Sequence, residues 1–194
     1  MQLIGMLDSP YVRRVAISLK YLGIDFEHRS LSVFRDFEAF SHINPIVKAP
    51  TLVTDDGTVL VDSTLILQYI NELSKKPLTS NHPPELRLIG IGLMACDKTV
   101  QIVYERTLRP AEKQHQPWLE RVTNQLQAAY AQLEASAVEL TCEPLMLSSI
   151  TVAVAWRFTQ LYAADVITPT EYPQLAQFSS QAEALPEFIA TPVE

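Results

Sequence analysis

Two short β-branched runs, Thr51-Leu52-Val53-Thr54 and Thr58-Val59-Leu60-Val61, flank Asp55-Asp56-Gly57. An Asp-Gly between such runs is a strong short-range hairpin signal, so this stretch commits the chain to a sheet. Pro50 stands at the mouth of that hairpin, where a proline removes no ladder donor. Asp62-Ser63 follow the second run, and both residue types cap helix N-termini well. Leu65, Ile66, Tyr69, Ile70 and Leu73 then fall on one broad helical face, which predicts a helix from about Thr64.

The residues before the hairpin read as strand, helix, strand, helix. Gln2-Leu3-Ile4-Gly5 is a short strand. Ser9-Pro10 pairs a favoured N-cap with a favoured first helical residue, and Val12, Val15, Ala16, Leu19 and Leu22 give the helical period up to Gly23, a C-cap. Arg13 and Arg14 lie off this apolar stripe and are expected in solvent. A second strand is expected within Phe26 to Leu31 and a second helix within Phe34 to Ile43, where Phe34, Phe37 and Phe40 recur every three positions. From Ser74 to Pro84 lysines, prolines and small polar residues make a linker.

Beyond the linker the pattern is helical throughout. Leu86, Ile89, Leu93, Cys96, Val100 and Val103 step by three and four along one long helix that ends before Pro110. Leu119, Val122, Leu126, Tyr130, Leu133 and Ala137 repeat the device after Pro117. Ile150 to Tyr162 is almost wholly apolar and reads as a central helix buried on most sides.

Composition removes several function classes. Fifteen Lys and Arg against 22 Asp and Glu give a net charge of -7, which disfavours a nonspecific nucleic-acid surface. No window approaches the roughly 18 consecutive apolar residues of a membrane span, and Met1 to Gly5 lacks the basic region and apolar core of a signal peptide, so no membrane partner and a cytoplasmic location are expected. Cys96 and Cys142 are far apart, and His28, His42, His82 and His115 show no ligand spacing, which argues against a metal site or a dithiol redox centre. With five glycines and no glycine-rich phosphate loop, nucleotide cofactors are disfavoured.

Asn44-Pro45-Ile46-Val47-Lys48-Ala49-Pro50-Thr51-Leu52, the hairpin, and then Asp62-Ser63 resemble the glutathione-binding half of the glutathione S-transferase superfamily. The usual reading there is Asn-Pro-x-Gly-Lys-Val-Pro-x-Leu, hairpin, Glu or Asp, Ser. Val47 and Ala49 depart from it, standing where glycine and valine are common. The resemblance implies an α/β thioredoxin-like N-terminal domain over residues 1–76, followed by an all-α helical domain over 84–194 that forms the second-substrate cleft. A further mark of the family is a Ser or Thr cap on the central helix with Asp three positions on; here Ser148 is followed by Thr151, which weakens the cap.

The same resemblance assigns roles. Ser9 is the aligned active residue, a hydrogen-bond donor to the glutathione sulfur, with Tyr11 the alternative hydroxyl. Ala49, ahead of a cis Pro50, offers its backbone to the cysteinyl part of glutathione. Lys48 pairs with the glycine carboxylate, Ser63 holds the γ-glutamyl carboxylate at a helix N-terminus, and Asp62 helps to place the amino group. Local reading alone leaves Ser9 a helix cap, Asp62-Ser63 another, and Lys48 a solvated loop cation. The function implied is activation of the glutathione thiol for attack on a small electrophilic or apolar second substrate, as in detoxification, with glutathione as co-substrate, no metal, and a homodimer as assembly. Two other readings stay open: a glutathione-dependent disulfide reductase, and a non-catalytic scaffold like stringent starvation protein A that binds a protein partner.

Overall fold

A computed structural model describes residues 1–80 and 82–193; Asn81, within the expected linker, and Glu194, at the end of the expected helical domain, lie outside the described residues. Four strands of three residues each, β1 (Gln2–Ile4), β2 (Glu27–Arg29), β3 (Thr51–Val53) and β4 (Val59–Val61), form one sheet in the order β2-β1-β3-β4. β1 runs parallel to β2 and antiparallel to β3, which pairs antiparallel with β4. A parallel pair needs a crossover, and helix α1 (Pro10–Leu22) supplies it between β1 and β2. With α2 (Phe37–Ile43) and α3 (Ser63–Leu73) this is the thioredoxin-like arrangement.

Local chemistry accounts for most of these boundaries. Ser9 caps α1 with Pro10 as its first residue, and Gly23 closes it at φ 68°, the left-handed conformation that glycine adopts without a Cβ penalty. In the hairpin the Asp56 carboxylate accepts from the Thr54 hydroxyl and the Thr58 amide, and these bonds hold its carboxyl down to about 2. Two sequence expectations shift. α2 begins at Phe37 and buries only Phe40, whereas Phe34 and Phe37 are exposed; a period of three drifts off a helical face within two turns. α3 buries Ile66, Leu67 and Ile70 but leaves Leu65 and Leu73 exposed, so its core face is narrower than the apolar pattern predicts.

The chain divides into two compact units: the first holds Met1–Leu78 together with the chain from Leu185 onward, and the second is Thr79–Ala184. The family resemblance groups that last stretch with the helical domain. Its short helix α8 (Pro186–Ile189) instead packs on α1, where Arg13 Nε donates to the Thr191 carbonyl at 2.8 Å and the guanidinium lies 5.5 Å from the centre of the Phe188 ring. The numbering α4 to α7 belongs to the second unit: α4 (Pro83–Leu108), α5 (Gln116–Ala135), α6 (Leu147–Tyr162) and α7 (Pro173–Glu183).

In that unit α6 is the buried centre, with every residue from Leu147 to Trp156 inaccessible. α4 buries Leu88, Ile89, Gly92, Ala95, Cys96, Thr99 and Ile102; Ile89 and Cys96 lie inward as the sequence pattern expects, whereas Leu86 is exposed and Leu93, Val100 and Val103 are half-buried. The small residues permit close approach: a Cβ on Gly92 would stand 3.1 Å from Thr151 Cγ2 of α6. Tyr130 of α5 donates to Thr159 Oγ1 at 2.7 Å, and Thr99 shares that hydroxyl at 2.8 Å, so three elements meet on one buried polar cluster. The expected Ser148 cap is absent. The cap lies two residues earlier, at Met146, which makes no side-chain bond, and Thr151 Oγ1 donates back to the Leu147 carbonyl.

Candidate functional site

The sheet register brings three separate stretches to one edge. Ile4 pairs with Thr51, and Thr51 with Val61. The residues just beyond these partners, Gly5, Pro50 and Asp62, therefore leave the sheet side by side. Gly5 sits at φ 134°, and a Cβ there would come 2.6 Å from Val12 Cγ2 and 3.0 Å from Ala49 Cβ. Only a glycine lets the first turn of α1 and the Ala49-Pro50 segment close on each other this tightly.

Ser9 lies at the start of α1, half-buried, and its Oγ accepts from the Val12 amide at 3.5 Å. Accepting that bond leaves its own proton to donate elsewhere, so capping and donation to a ligand are compatible. Tyr11, two residues on, is also half-buried.

The Ala49-Pro50 peptide bond is cis, with Pro50 buried and Ala49 half-buried. A local network fixes its approach: Asn44 Nδ2 donates to Thr51 Oγ1 at 2.8 Å, and that hydroxyl donates to the Lys48 carbonyl at 2.7 Å. Asn44 Oδ1 accepts from the Ile46 amide at 3.0 Å. The Lys48 side chain is exposed. Val47 takes φ 50°, so the chain keeps the left-handed path although a β-branched residue occupies it. Such a residue costs about 1–3 kcal/mol there, partly offset by the entropy a glycine would lose on folding. Val47→Gly is accordingly expected to raise stability by about 1 kcal/mol in denaturant unfolding. A loss of that size would contradict the strain.

Asp62 and Ser63 open α3. Asp62 adopts φ 70°, outside the ordinary range for a non-glycine residue, and its Oδ1 accepts from the Thr64 amide at 2.8 Å and the Leu65 amide at 3.3 Å. Oδ2 takes no hydrogen bond among the described residues. Ser63, buried at the first helical position, accepts from Arg14 Nη1 at 3.2 Å.

That contact corrects the sequence expectation for the two arginines. Arg13 and Arg14 are 2% and 1% exposed, turned inward on α1 rather than solvated. Their partners lie 178 and 49 residues away in the chain, beyond the reach of periodicity. His28 was also without an evident role in the sequence. Its Nε2 lies 2.8 Å from the Gly5 carbonyl, which can only accept, so Nε2 carries the proton and pins the Gly5 turn. Among the described residues no group of His, Cys, Asp or Glu is placed to hold a metal, and no helix is long and apolar enough to cross a membrane.

A sequence-family model described as glutathione S-transferase, N-terminal domain, matches residues 3–78. The chain is 30% identical to the uncharacterized GST-like protein YibF of Escherichia coli (strain K12), over 80% of this chain and 79% of that protein. It is 27% identical to glutathione S-transferase U4 of Arabidopsis thaliana, over 58% of this chain and 50% of that protein. Among solved structures, it is similar to a glutathione transferase family member from Pseudomonas fluorescens Pf-5 with bound glutathione. The TM-score is 0.88 at 29% identity, covering 100% of this chain and 98% of that one.

Proposed function

Because the chain belongs to the glutathione S-transferase superfamily, we propose that it binds glutathione at the edge formed by Gly5, Pro50 and Asp62 and activates the thiol for attack on a small electrophile. What supports this reading is that Gly5, Pro50 and Asp62 leave the sheet side by side, with the first turn of α1, the helix Ser9 caps, and Ala49 both packed against Gly5. The glutathione-bound relative from Pseudomonas fluorescens, which aligns along the whole chain, supports it.

In this reading each group does one task. The Ala49 backbone pairs with the cysteinyl part and Ser63 with the γ-glutamyl carboxylate, while Asp62 faces the γ-glutamyl amine. Lys48, exposed on the loop before Pro50, is the cation for the glycine carboxylate. Ser9 donates to sulfur, with Tyr11 as the neighbouring hydroxyl. A thiol of pKa about 8.5 is mostly protonated at neutral pH, and each unit of depression needs about 1.36 kcal/mol of preferential stabilisation of the thiolate. A hydrogen bond to a charged acceptor contributes about 1.5–3 kcal/mol, and the α1 N-terminus adds favourable dipole. Together these bring the thiol near neutrality without any base, since a serine hydroxyl does not ionise in this range.

The thiol gives its proton to solvent, and sulfur then bonds to the electrophilic carbon to form a thioether. An aryl halide releases halide with its electron pair, an epoxide breaks its C–O bond onto oxygen, and an enone shifts its C=C pair toward the carbonyl. The last two take a proton from solvent. Turnover of an activated aryl halide with glutathione tests the proposal. Saturable consumption of both reactants above the uncatalysed rate is expected. A panel of aryl halides, epoxides and enones that all react only at the background rate would refute it.

A further inference from the structure

We propose that His28 is a positioning residue: by holding the Gly5 carbonyl from β2 it sets where Ser9 stands, and with that how well the Ser9 hydroxyl meets the glutathione sulfur. The inference rests on the glutathione reading above and assigns the residue that tunes thiol activation within it. Gly5, Met6, Leu7 and Asp8 join β1 to the Ser9 cap. In this turn the Ser9 amide donates to the Met6 carbonyl at 3.2 Å, and the Ser9 carbonyl accepts from the Arg13 amide at 2.9 Å. Ser9 therefore moves with Met6 on one side and with α1 on the other.

Gly5 links that piece to the sheet. At φ 134° it occupies a region open to glycine, so its own backbone preferences leave the direction of the turn unset. Hydrogen bonds to β2 supply the direction: the Gly5 amide donates to the Arg29 carbonyl at 3.0 Å, and His28 Nε2 donates to the Gly5 carbonyl at 2.8 Å. The first bond is backbone to backbone and survives a change of side chain. The second depends on one imidazole. Gly5 is buried, so its carbonyl without that donor is left unsatisfied away from water. Rotation of the Gly5-Met6 peptide relieves this, and carries Met6 and Ser9 with it. Met6 has another hold, Arg35 Nη2 at 3.3 Å from its sulfur, but Arg35 is exposed and a thioether is a weak acceptor. A displacement of about 1 Å at a donor is enough to lose much of its effect on a reacting atom. The bonded neutral tautomer and the cation of His28 both carry the Nε2 proton, so the clamp holds across the pH range of an assay.

The test uses His28→Phe, which keeps a ring without the donor, and His28→Gln, whose amide reaches the same carbonyl. Ultraviolet absorbance of the bound thiolate against pH reads the thiol pKa, and calorimetry reads glutathione affinity. In His28→Phe the pKa of bound glutathione should rise by about half a unit to one unit. At saturating glutathione, kcat/KM for the electrophile should then fall about 3- to 10-fold near pH 6.5 and little above pH 9, with glutathione affinity changed by about twofold at most. His28→Gln should restore most of the shift. Added to Ser9→Ala, where no hydroxyl is left to position, His28→Phe should move the pKa far less. A folded His28→Phe with the wild-type thiol pKa overturns the assignment, as does an equal shift with and without the Ser9 hydroxyl. Should His28→Phe fail to fold, His28→Asn decides, because its shorter amide falls short of the carbonyl; an unchanged thiol pKa there overturns it equally. Amide hydrogen exchange at Gly5 and Ser9, read without glutathione, should accelerate in either variant. Unchanged exchange at both amides overturns the clamp whatever glutathione does. Faster exchange in a protein whose wild type binds no glutathione refutes the glutathione reading instead.

Discussion

Ser9→Ala is expected to lower kcat/KM for the electrophile, at saturating glutathione, by about 10- to 100-fold near pH 6.5, and by far less above about pH 9. The sign follows from which state the hydroxyl stabilises. In the proposed mechanism Ser9 donates to the thiolate and not to the thiol, so its loss would raise the pKa of bound glutathione by about one to two units. Below that pKa the thiolate fraction falls tenfold per unit. Above it both enzymes hold a thiolate, and the rates converge. Fold and binding should survive, because alanine removes only the cap to Val12, a bond already 3.5 Å long. The measurement is the pH profile of kcat/KM, alongside the ultraviolet absorbance of the bound thiolate. A uniform loss at all pH values would place Ser9 in binding rather than activation. No loss at any pH would move the donor role to Tyr11.

Arg13→Ala should destabilise the first unit by about 2–3 kcal/mol, a shift of roughly 8–24 °C in its unfolding midpoint. The guanidinium joins α1 to the end of the chain through the Thr191 carbonyl at 2.8 Å, the Phe188 carbonyl at 3.5 Å and the Phe188 ring. Charge-assisted bonds of this kind contribute about 1.5–3 kcal/mol each, and a desolvated cation on a ring about 2; removing the buried charge itself recovers part of that sum. Phe188 and Thr191 are both buried, and they belong to the first unit although they lie at the far end of the sequence. Hydrogen exchange should therefore accelerate first over residues 185–193, before the sheet. Arg13→Met, which keeps the stem, should recover packing but not the carbonyl bonds. Unchanged exchange in that segment with Arg13→Ala would show that α8 is held by other means.

Much of the backbone framework around the candidate site was legible because its parts are local. Ser9-Pro10 and Gly23 mark α1 by capping chemistry confined to one or two turns, and Asp55-Asp56-Gly57 marks the hairpin the same way. The Asn44 to Ser63 run shows the family resemblance within twenty residues. The parts that were not legible are tertiary. Arg13 and Arg14 look like ordinary surface cations until distant residues supply the hydroxyls and carbonyls that admit them to the interior. The buried stripe of α4 runs through Gly92, Ala95 and Thr99, small residues that carry little hydrophobic signal but let α6 come close. At Ser148 the expected cap fails because the helix begins at Leu147, and Ser149 instead accepts from the Thr141 amide. Val47 kept the backbone path that its side chain disfavours, since Asn44 and Thr51 hold the loop from both sides.

The central claim is that the edge lined by Gly5, Pro50, Asp62 and Ser63 is a glutathione site. Calorimetric titration of reduced glutathione into the wild type and Ser63→Ala tests it most directly. The account predicts saturable binding to the wild type and about tenfold weaker binding to Ser63→Ala, as expected for loss of one hydrogen bond to a carboxylate. No heat of binding up to millimolar glutathione in the folded wild type would contradict it.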